Sequence, residues 1–597
     1  MEATISQLAK LPQHQAAIDV EYALGDPNDE TSLMSYKRVM ELDEAEFFQE
    51  EFFQYLLSIK LHHNYVPAEL GGKFKSYEQL YALGKVLARR DLATAVTMST
   101  MIWSNLVWIG GDQALKERCA EITKSYNGAM CLAYSEEDHG ADLLANKLTA
   151  TETDDGFILD GEKWPINRAS RSEVVMLLAR TANDRGARNL SLFMVEKSKI
   201  DCSTFTYLPK VKTHGLRGCD ICGIRFSGTK LPKSALIGKV GDGLELAIKT
   251  FQVTRTLCAA LSVGALENNL RVVMEFALER QLYRGNVFDI PNARHYLSGA
   301  FADLQVSDAM GTALSRALHV IPQQFSILSA VAKCFAPYKL DKAQKDLATV
   351  LGARFFFREK HKEGIFQKSL RDSQVVSLFD GSSEVNLYSM TTQLPILARR
   401  QRKAFGKGKL VDPQTLSAIF DESQAVETFD GSRLDLSSHG RDFIMESFPQ
   451  AIAALQQIEA PNETQVCILQ LAETLFAKHS ANMARILEGG ERKIELQSPT
   501  MFTLARQYCI IHAGICALNY WLHNLQHSDS YVAAGDWLAL GLQRLLLELH
   551  IDDQEIPEAI NQRVADELLA RSTEQDSYSL VSLSLPEKQL EAVEKIA

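Results

Sequence analysis

The stretch LRDSQVVSLFDGSSEVN, residues 370–386, places Asp380 between an aromatic residue and a turn of small residues. An aspartate can take part in acid–base chemistry, but Asp-Gly is also a common turn dipeptide. The ten cysteines offer no comparable group, because Cys219 and Cys222 form the only C-x-x-C pair and no histidine cluster accompanies them. No metal site is expected. The rest of the sequence has to decide between the two interpretations of Asp380.

Bulk composition restricts the class of protein. The chain has 597 residues, enough for roughly three or four domains, and its hydrophobic and charged fractions are those of a folded soluble protein. The net charge of −12 argues against nucleic acid as a partner, because phosphate binding needs a basic surface. The N-terminal segment predicts neither a secretory signal nor a mitochondrial transit peptide, and no run of about 18 apolar residues predicts a membrane span. We therefore expect a cytoplasmic protein.

The hydrophobic pattern changes along the chain in a way that predicts domains. Apolar residues at three- and four-residue spacing predict helices up to residue 130, and short alternating runs divided by Gly, Asp and Asn predict a β domain over 131–240. Helical spacing returns over 241–403, and 404–440 is polar and turn-rich, as in a linker. Residues 441–597 are again mostly helical. The predicted fold class is α+β, mostly α.

The predicted order of helices, β domain and helices, together with local motifs over about residues 35–400, resembles the acyl-CoA dehydrogenase family of flavoenzymes. The first motif is LAYSEEDHGADLLANKLTA, residues 132–150. It is similar to the family's flavin-contacting strand and turn, which implies that Tyr134, Ser135 and Gly140 contact FAD. The second is LDGEKWPINRAS, residues 159–170, in which Trp164 lies one position early and Asn167 lies where the family has a hydroxyl donor to flavin N5. Asn can also donate a hydrogen bond.

Two further motifs carry arginines and a glycine. In FQVTRTLCAALSVGALENNLRVVMEFALERQLYRGN, Arg255 corresponds to an arginine that lines the family's active site. Arg280 corresponds to the arginine that reaches the FAD phosphates of a neighbouring subunit, and Tyr283 to the aromatic residue after it. In LGARFFFREKHKEG, Gly352 lies where the family has a Gly-Gly turn under the dinucleotide. The resemblance thus implies a homodimer or homotetramer.

From Arg371 onward the register with the family needs no gap. Asp380 corresponds to the family's catalytic glutamate, Ser382 to a threonine and Glu384 to a glutamine that contacts FAD. The resemblance implies that Asp380 removes the α-proton of an acyl thioester while a β-hydride passes to flavin N5. An aspartate is one methylene shorter than a glutamate, so its oxygens retreat by about 1.5 Å, and a misplacement of that size can cost about a hundredfold in rate.

Three interpretations of Asp380 follow. It is a working base for α,β-dehydrogenation of an acyl group carried on CoA or on an acyl carrier protein. Alternatively, the enzyme is an oxidase similar to nitroalkane oxidase, which has an arginine seven residues later where this chain has Leu387. The third interpretation is a non-catalytic flavin-binding assembly subunit.

The resemblance also bears on partners. It implies an electron-transferring flavoprotein or oxygen as the electron acceptor. The residues after 440 are similar in architecture to the helical extension of the very-long-chain acyl-CoA dehydrogenases. Their apolar stretches favour a packed bundle over a membrane-surface helix, which would carry more Lys and Arg on its polar face.

Overall fold

The computed structural model describes residues 7–125, 129–182, 186–491 and 495–586. The chain opens with a helical domain, whose helices are α1 (Pro12–Leu24), α2 (Tyr36–Glu44), α3 (Glu50–Ser58), α4 (Tyr77–Arg90), α5 (Leu92–Ser99), α6 (Asn105–Gly110) and α7 (Gln113–Lys124). The side chain of Ser76 accepts a hydrogen bond from the backbone N–H of Gln79 and caps α4. Asp91 ends α4 and caps α5, because its carboxylate accepts the N–H of Thr94. These caps fix the corner between the two helices that wall the cavity described below.

The second domain is an eight-stranded sheet with its own apolar core. Its strands are β1 (Met130–Ala133), β2 (Thr149–Glu152), β3 (Gly156–Asn167), β4 (Val174–Arg180), β5 (Leu190–Glu196), β6 (Phe205–Tyr207), β7 (Ile221–Pro232) and β8 (Leu236–Ile237). The order is β6-β7-β3-β2-β4-β5-β8, and β1 pairs with β4 in parallel. The strand-rich domain predicted from the alternating pattern is confirmed.

The third domain contains four long helices: α8 (Gly243–Glu279), α9 (Pro291–Val320), α10 (Phe325–Leu351) and α12 (Ser383–Gly406). A small hairpin, β9 (Gln281–Leu282) and β10 (Gly285–Asn286), follows α8, and α11 (Ile365–Ser373) precedes α12. Residues on nearly all sides of α8, α9 and α10 are buried, as in helices at the centre of a large core. The predicted helical bundle is confirmed.

The predicted linker over 404–440 is not a free segment. The structure places helix α13 (Pro413–Phe420) in it, with Leu416, Ile419 and Phe420 buried against the bundle. The guanidinium of Arg316 in α9 donates to four backbone carbonyls of this stretch, those of residues 418, 419, 421 and 424. The sequence of this stretch is polar overall, because the residues of its exposed turns outnumber the three buried apolar residues of α13.

The last helices are α14 (Phe443–Glu446), α15 (Phe448–Gln456), α16 (Glu463–Glu491), α17 (Pro499–Asn524), α18 (Ser530–Ala534), α19 (Asp536–Glu548) and α20 (Glu558–Thr573). They pack on the bundle and share ion pairs with it. Nζ of Lys339 in α10 lies 2.6 Å from Asp303 and 2.8 Å from Glu548 of α19. The predicted additional helical domain is thus present and packed against the bundle.

Two segments, Leu92–Gly110 and Pro499–Asn524, are long and apolar enough to cross a membrane by length and composition. In each, most of the apolar window is buried inside the protein, 83% and 78% respectively. Packing in the core accounts for their composition without a bilayer.

Candidate active site

Asp380 lies in the turn between α11 and α12, at the wall of a cavity. Its φ is +55° and that of Gly381 is +82°, so two successive residues adopt the left-handed conformation that side chains disfavour. Arg255 of α8 supports this turn, because its Nε donates to the backbone carbonyl of Asp380 at 2.8 Å. Ser382 then caps α12 by accepting the N–H of Val385. The turn thus places Asp380 in the lining of the cavity.

The cavity has a volume of about 850 Å³, a size typical of cofactor and substrate sites. It extends between α4, α5, α8, the turn after β1 and the start of α12. The helical domains contribute a largely apolar lining, which includes Leu80, Gly84, Leu87, Ile102, Trp103, Phe251 and Leu261. The second domain contributes Tyr134, Ser135, Gly140 and Asn167, which we call the polar end. Asp380 and Arg255 also line the cavity.

Burial and the neighbouring polar groups shift the pKa of the Asp380 carboxyl in opposite directions. Burial raises the pKa of the Asp380 carboxyl, and the ammonium of Lys333, the hydroxyl of Thr254 and the guanidinium of Arg255 counteract part of that rise. The thiol of Cys258 lies 4.0 Å from Oδ2. A carboxyl group with a raised pKa is a stronger base once ionised, which suits removal of a weakly acidic proton.

The polar end of the cavity contains unsatisfied hydrogen-bonding groups. Oη of Tyr134 and Oδ1 of Asn167 are buried and have no hydrogen-bond partner among the described residues. Buried polar atoms are normally paired, so these two atoms fit a polar ligand such as a flavin. At Gly140 an added Cβ would meet nothing within 4 Å, which leaves room for a close approach.

An ion pair behind the polar end fixes its shape. Nζ of Lys163, a fully buried residue of β3, lies 2.9 Å from Glu136 and donates to the carbonyl of Tyr134 at 3.1 Å. Glu136 also accepts the N–H groups of Lys147 and Leu148. Burial lowers the pKa of Lys163 to about 8 despite the opposing effect of Glu136. Glu136 therefore has a structural role in the flavin-contacting motif.

The structure brings together seven of the predicted site residues at the cavity: Tyr134, Ser135, Gly140, Asn167, Arg255, Asp380 and Ser382. It does not bring Trp164 there. The cavity is lined instead by the next residue, Pro165, and Trp164 donates its backbone N–H to the carbonyl of Ser135 at 2.9 Å. Trp164 therefore lies outside the cavity lining, and its contact with FAD stays a prediction.

Four other predicted FAD contacts lie outside this cavity. Glu384 forms a surface ion pair with Arg506 of α17, so the side chain is already engaged within its own chain. Arg280 and Tyr283 lie at the exposed β9–β10 hairpin, where Tyr283 is 91% exposed. Gly352 ends α10 with a φ of +60° and open space around it. Arg280 is the position for which the resemblance implies contact with the FAD of a neighbouring subunit, and Tyr283 is the aromatic residue after it.

The sequence alone did not single out Lys333 or Cys258 as neighbours of the Asp380 carboxylate. Lys333 interrupts an apolar stretch of α10, SAVAKCFA, on a helix that is buried on nearly all sides. A lysine in such a helix rarely lies in the core without a specific partner. That pattern is the signal that could have identified it.

One group of described residues has the spacing of metal ligands: His14, Glu78 and Glu422. Each already has a protein partner. His14 and Glu422 are 3.1 Å apart, and Glu78 lies 2.8 Å from Arg316. The contact between His14 and Glu422 and the ion pair between Glu78 and Arg316 thus give each of these three residues a protein partner.

Comparison with known proteins agrees with the geometry of the cavity. The model of the acyl-CoA dehydrogenase middle domain matches residues 131–229, and that of the acyl-CoA dehydrogenase C-terminal domain matches residues 241–394. The chain belongs to the acyl-CoA dehydrogenase family. The resemblance inferred from the motifs is confirmed, and both matched regions contribute residues to the cavity.

Individual relatives extend the comparison. The chain is 24% identical over 356 residues to the probable acyl-CoA dehydrogenase FadE25 of Mycobacterium tuberculosis, covering 59% of this chain and 90% of the relative. It is 22% identical over 352 residues to the mitochondrial very long-chain specific acyl-CoA dehydrogenase of Rattus norvegicus, covering 58% of this chain and 53% of that protein. The crystal structure of an acyl-CoA dehydrogenase complexed with FAD from Bacillus anthracis has a TM-score of 0.65 at 15% identity and covers 95% of each chain. This last likeness extends the shared fold to the C-terminal helices.

Proposed function

We propose that this acyl-CoA dehydrogenase family member catalyses FAD-dependent α,β-dehydrogenation of an acyl thioester, with Asp380 as the base that removes the α-proton. The observation that carries the proposal is the position of Asp380. Asp380 lines a cavity whose lining combines many apolar side chains with the unpaired polar atoms of Tyr134 and Asn167. The apolar lining suits an acyl chain, and the polar atoms suit a flavin ring.

Each side chain has a defined task in this mechanism. Bound FAD supplies the acceptor for the hydride that leaves the β-carbon. Asp380 takes the α-proton onto its carboxylate, and Arg255 holds the turn in place through the Asp380 carbonyl. The backbone N–H of Asp380 would polarise the thioester carbonyl, as an oxyanion-hole donor does. The apolar wall excludes water, which raises the basicity of the carboxylate.

FAD would be held by Tyr134, Ser135 and Asn167 at the flavin ring. The exposed Arg280, Tyr283 and Gly352 suit the dinucleotide of a second copy of the chain, since a guanidinium donates two hydrogen bonds to a pyrophosphate. Tyr283 at 91% and Phe356 at 79% exposure are large apolar surfaces for a monomer to leave uncovered. We therefore propose a homodimer or a homotetramer, which light scattering of the purified protein will distinguish from a monomer.

The substrate is an acyl group whose distal end is apolar, because Leu, Ile, Trp and Phe side chains form much of the cavity lining. The thioester carrier is either CoA or an acyl carrier protein. The electron acceptor is either an electron-transferring flavoprotein or oxygen. Leu387, at the position of the arginine in nitroalkane oxidase, is buried and apolar, which disfavours the oxidase interpretation.

The test is an anaerobic titration of the flavin-loaded protein with saturated acyl thioesters of graded length, each as the CoA and as the carrier-protein form. Wild type and Asp380→Asn are compared by the loss of flavin absorbance. We expect wild type to be reduced and the Asn variant to lose at least about a hundredfold in rate, since a positioned base contributes about 10²–10⁴. Reduction of both proteins at equal rates would remove Asp380 from the mechanism.

Bound flavin that no thioester reduces would contradict the dehydrogenase function. Nitroalkanes supplied in air would then separate an oxidase from a non-catalytic flavin-binding subunit. A protein that takes up no FAD would contradict all three interpretations.

A further inference from the structure

A buried lysine lies behind the catalytic turn and has no task in the mechanism above. Lys333 is 0% exposed. Its Nζ donates to the backbone carbonyl of Val376 and to Sγ of Cys258 at 3.6 Å, and it lies 4.4 Å from the ring centroid of Phe379. Val376 and Phe379 belong to the turn that ends in Asp380. The ammonium therefore contacts the inner side of that turn.

The surroundings of Lys333 differ from those of a second buried lysine on the same helix. Lys339 is also 0% exposed, but its Nζ lies between the carboxylates of Asp303 and Glu548. Within the described residues, Lys333 has no carboxylate within 4.0 Å. A buried charge without a close counter-ion costs folding free energy. Such a cost indicates that the charge serves something other than stability.

Asp380 is the acidic group on which this charge acts. Sγ of Cys258 lies between the two groups, 3.6 Å from Nζ of Lys333 and 4.0 Å from Oδ2 of Asp380. The other titratable or charged groups that face Asp380 are Arg255 and Cys258 of α8. Arg255 donates to the backbone carbonyl of Asp380, whereas Lys333 and the Asp380 carboxylate both contact the Cys258 thiol.

We propose that Lys333 is a positioning residue for the base: it fixes the turn through the Val376 carbonyl, and its positive charge, acting across the Cys258 thiol, keeps the Asp380 carboxylate ionised between turnovers. The proposal rests on the proposed function of Asp380. It explains how a carboxylate in an apolar site can stay ionised at neutral pH, where burial alone favours the protonated acid. It also provides a reason for Asp380 to release the proton that it has removed.

The two actions of Lys333 are separated by two variants. Lys333→Gln keeps a hydrogen-bond donor for the Val376 carbonyl and removes the charge, whereas Lys333→Met removes both. Lys333→Arg restores the charge. Lys339→Met is the matched control, because it removes a fully buried charge from the same helix away from Asp380. If Lys333→Met does not fold, Lys333→Gln still tests the charge.

The first readout is the pH dependence of flavin reduction by a thioester. In Lys333→Gln we expect the acidic limb of the pH–rate profile to move to higher pH by about one unit or more. On that limb the ionised fraction of Asp380 changes tenfold per pH unit, so the rate at a given pH falls about tenfold. Lys333→Arg restores the wild-type limb. Lys339→Met lowers stability and leaves the limb in place. A Lys333→Gln profile that coincides with the wild-type profile would overturn the proposal.

The second readout needs no turnover. Infrared titration of the protein without substrate follows the carboxyl stretch of Asp380, identified by its absence in Asp380→Asn. In Lys333→Gln this titration moves upward in parallel with the kinetic limb, and an unmoved titration overturns the proposal. A moved titration in a protein that no thioester reduces supports the role of Lys333 and contradicts the proposed function, so the two failures are distinguishable.

Discussion

Substitution of Gly381 by alanine tests how tightly the catalytic turn depends on Arg255. An added Cβ would lie 2.7 Å from Nη2 of Arg255, whereas ordinary contact begins at 3.4 Å, so the guanidinium has to move by about 0.7 Å. Nε of Arg255 donates to the Asp380 carbonyl at 2.8 Å, and a shift of that size stretches this hydrogen bond to the limit of its range. The φ of +82° adds about 1–2 kcal/mol of backbone strain.

We expect Gly381→Ala to lower the rate of flavin reduction by about 10- to 100-fold, since a misplacement of about 1 Å can cost a hundredfold. Gly408→Ala is the matched control: its φ is +57°, but an added Cβ would meet nothing within 4 Å. Both variants lose a similar free energy of unfolding in urea, and only Gly381→Ala loses rate in stopped-flow reduction. If Gly381→Ala unfolds more easily yet reduces flavin at the wild-type rate, Arg255 does not position the base.

Three further outcomes follow from buried charges. Lys163→Met leaves Glu136 without its cation, so we expect urea denaturation to show a loss of about 3 kcal/mol in the free energy of unfolding. This value is at the lower end for a broken buried pair, because Glu136 still accepts two backbone N–H groups. We also expect weaker FAD binding, measured by fluorescence. Burial raises the pKa of Asp380, so Asp380→Asn stabilises the protein against heat at pH 7 more than at pH 3. Asp442 raises the pKa of His512 to about 10 although burial opposes it, so stability in urea falls between pH 6.5 and 10.

The sign of each pH effect follows from linkage. Below the unfolded-state pKa of an aspartate both states bind the proton and Asp380 has no effect, whereas above it the folded state bears the cost of a buried carboxylate. For His512 the stabilisation is fully present below the unfolded-state pKa and is lost as pH rises through the folded-state value. As a control, Glu136→Gln combined with Lys163→Met recovers part of the stability that Lys163→Met loses. His512→Asn removes most of the fall in stability at alkaline pH. Stability of Lys163→Met equal to that of wild type would show that the Glu136 pair contributes nothing.

The motifs predicted Ser135, Asn167, Arg255 and Asp380 as site residues, and all four line one cavity; their roles stay predictions. Trp164 lies outside the cavity, at the position where this sequence and the motif differ by one residue, and a single shift moves a strand side chain to the opposite face. The predicted linker at 404–440 contains helix α13, which the sequence analysis did not predict. Its apolar Leu416, Ile419 and Phe420 have helical spacing, but they are outnumbered by turn residues in a window of that length.

The contacts of Lys333 could not be predicted from the sequence, because they join three segments that are distant along the chain. Val376 and Phe379 come from the catalytic turn and Cys258 comes from α8, and only the packing of α10 between them shows what the ammonium contacts. A periodic pattern of apolar residues predicts that a helix face is buried, but it does not predict which groups that face contacts. Such sites are found from unpaired buried charges in a structure, not from motifs.

The C-terminal helices have a direct connection to the candidate active site, because they contact the helix that follows Asp380, the proposed base. At the start of α12, Glu384 pairs with Arg506 of α17. Further along α12, the side chain of Gln401 is fully buried and bonded to Tyr508 and His479, and Tyr508 donates to Asp442 at 2.6 Å. Since α12 begins three residues after Asp380, a helix anchored at both of these points limits how far the catalytic turn can move. The added domain therefore restrains the turn that contains Asp380 as well as enlarging the core.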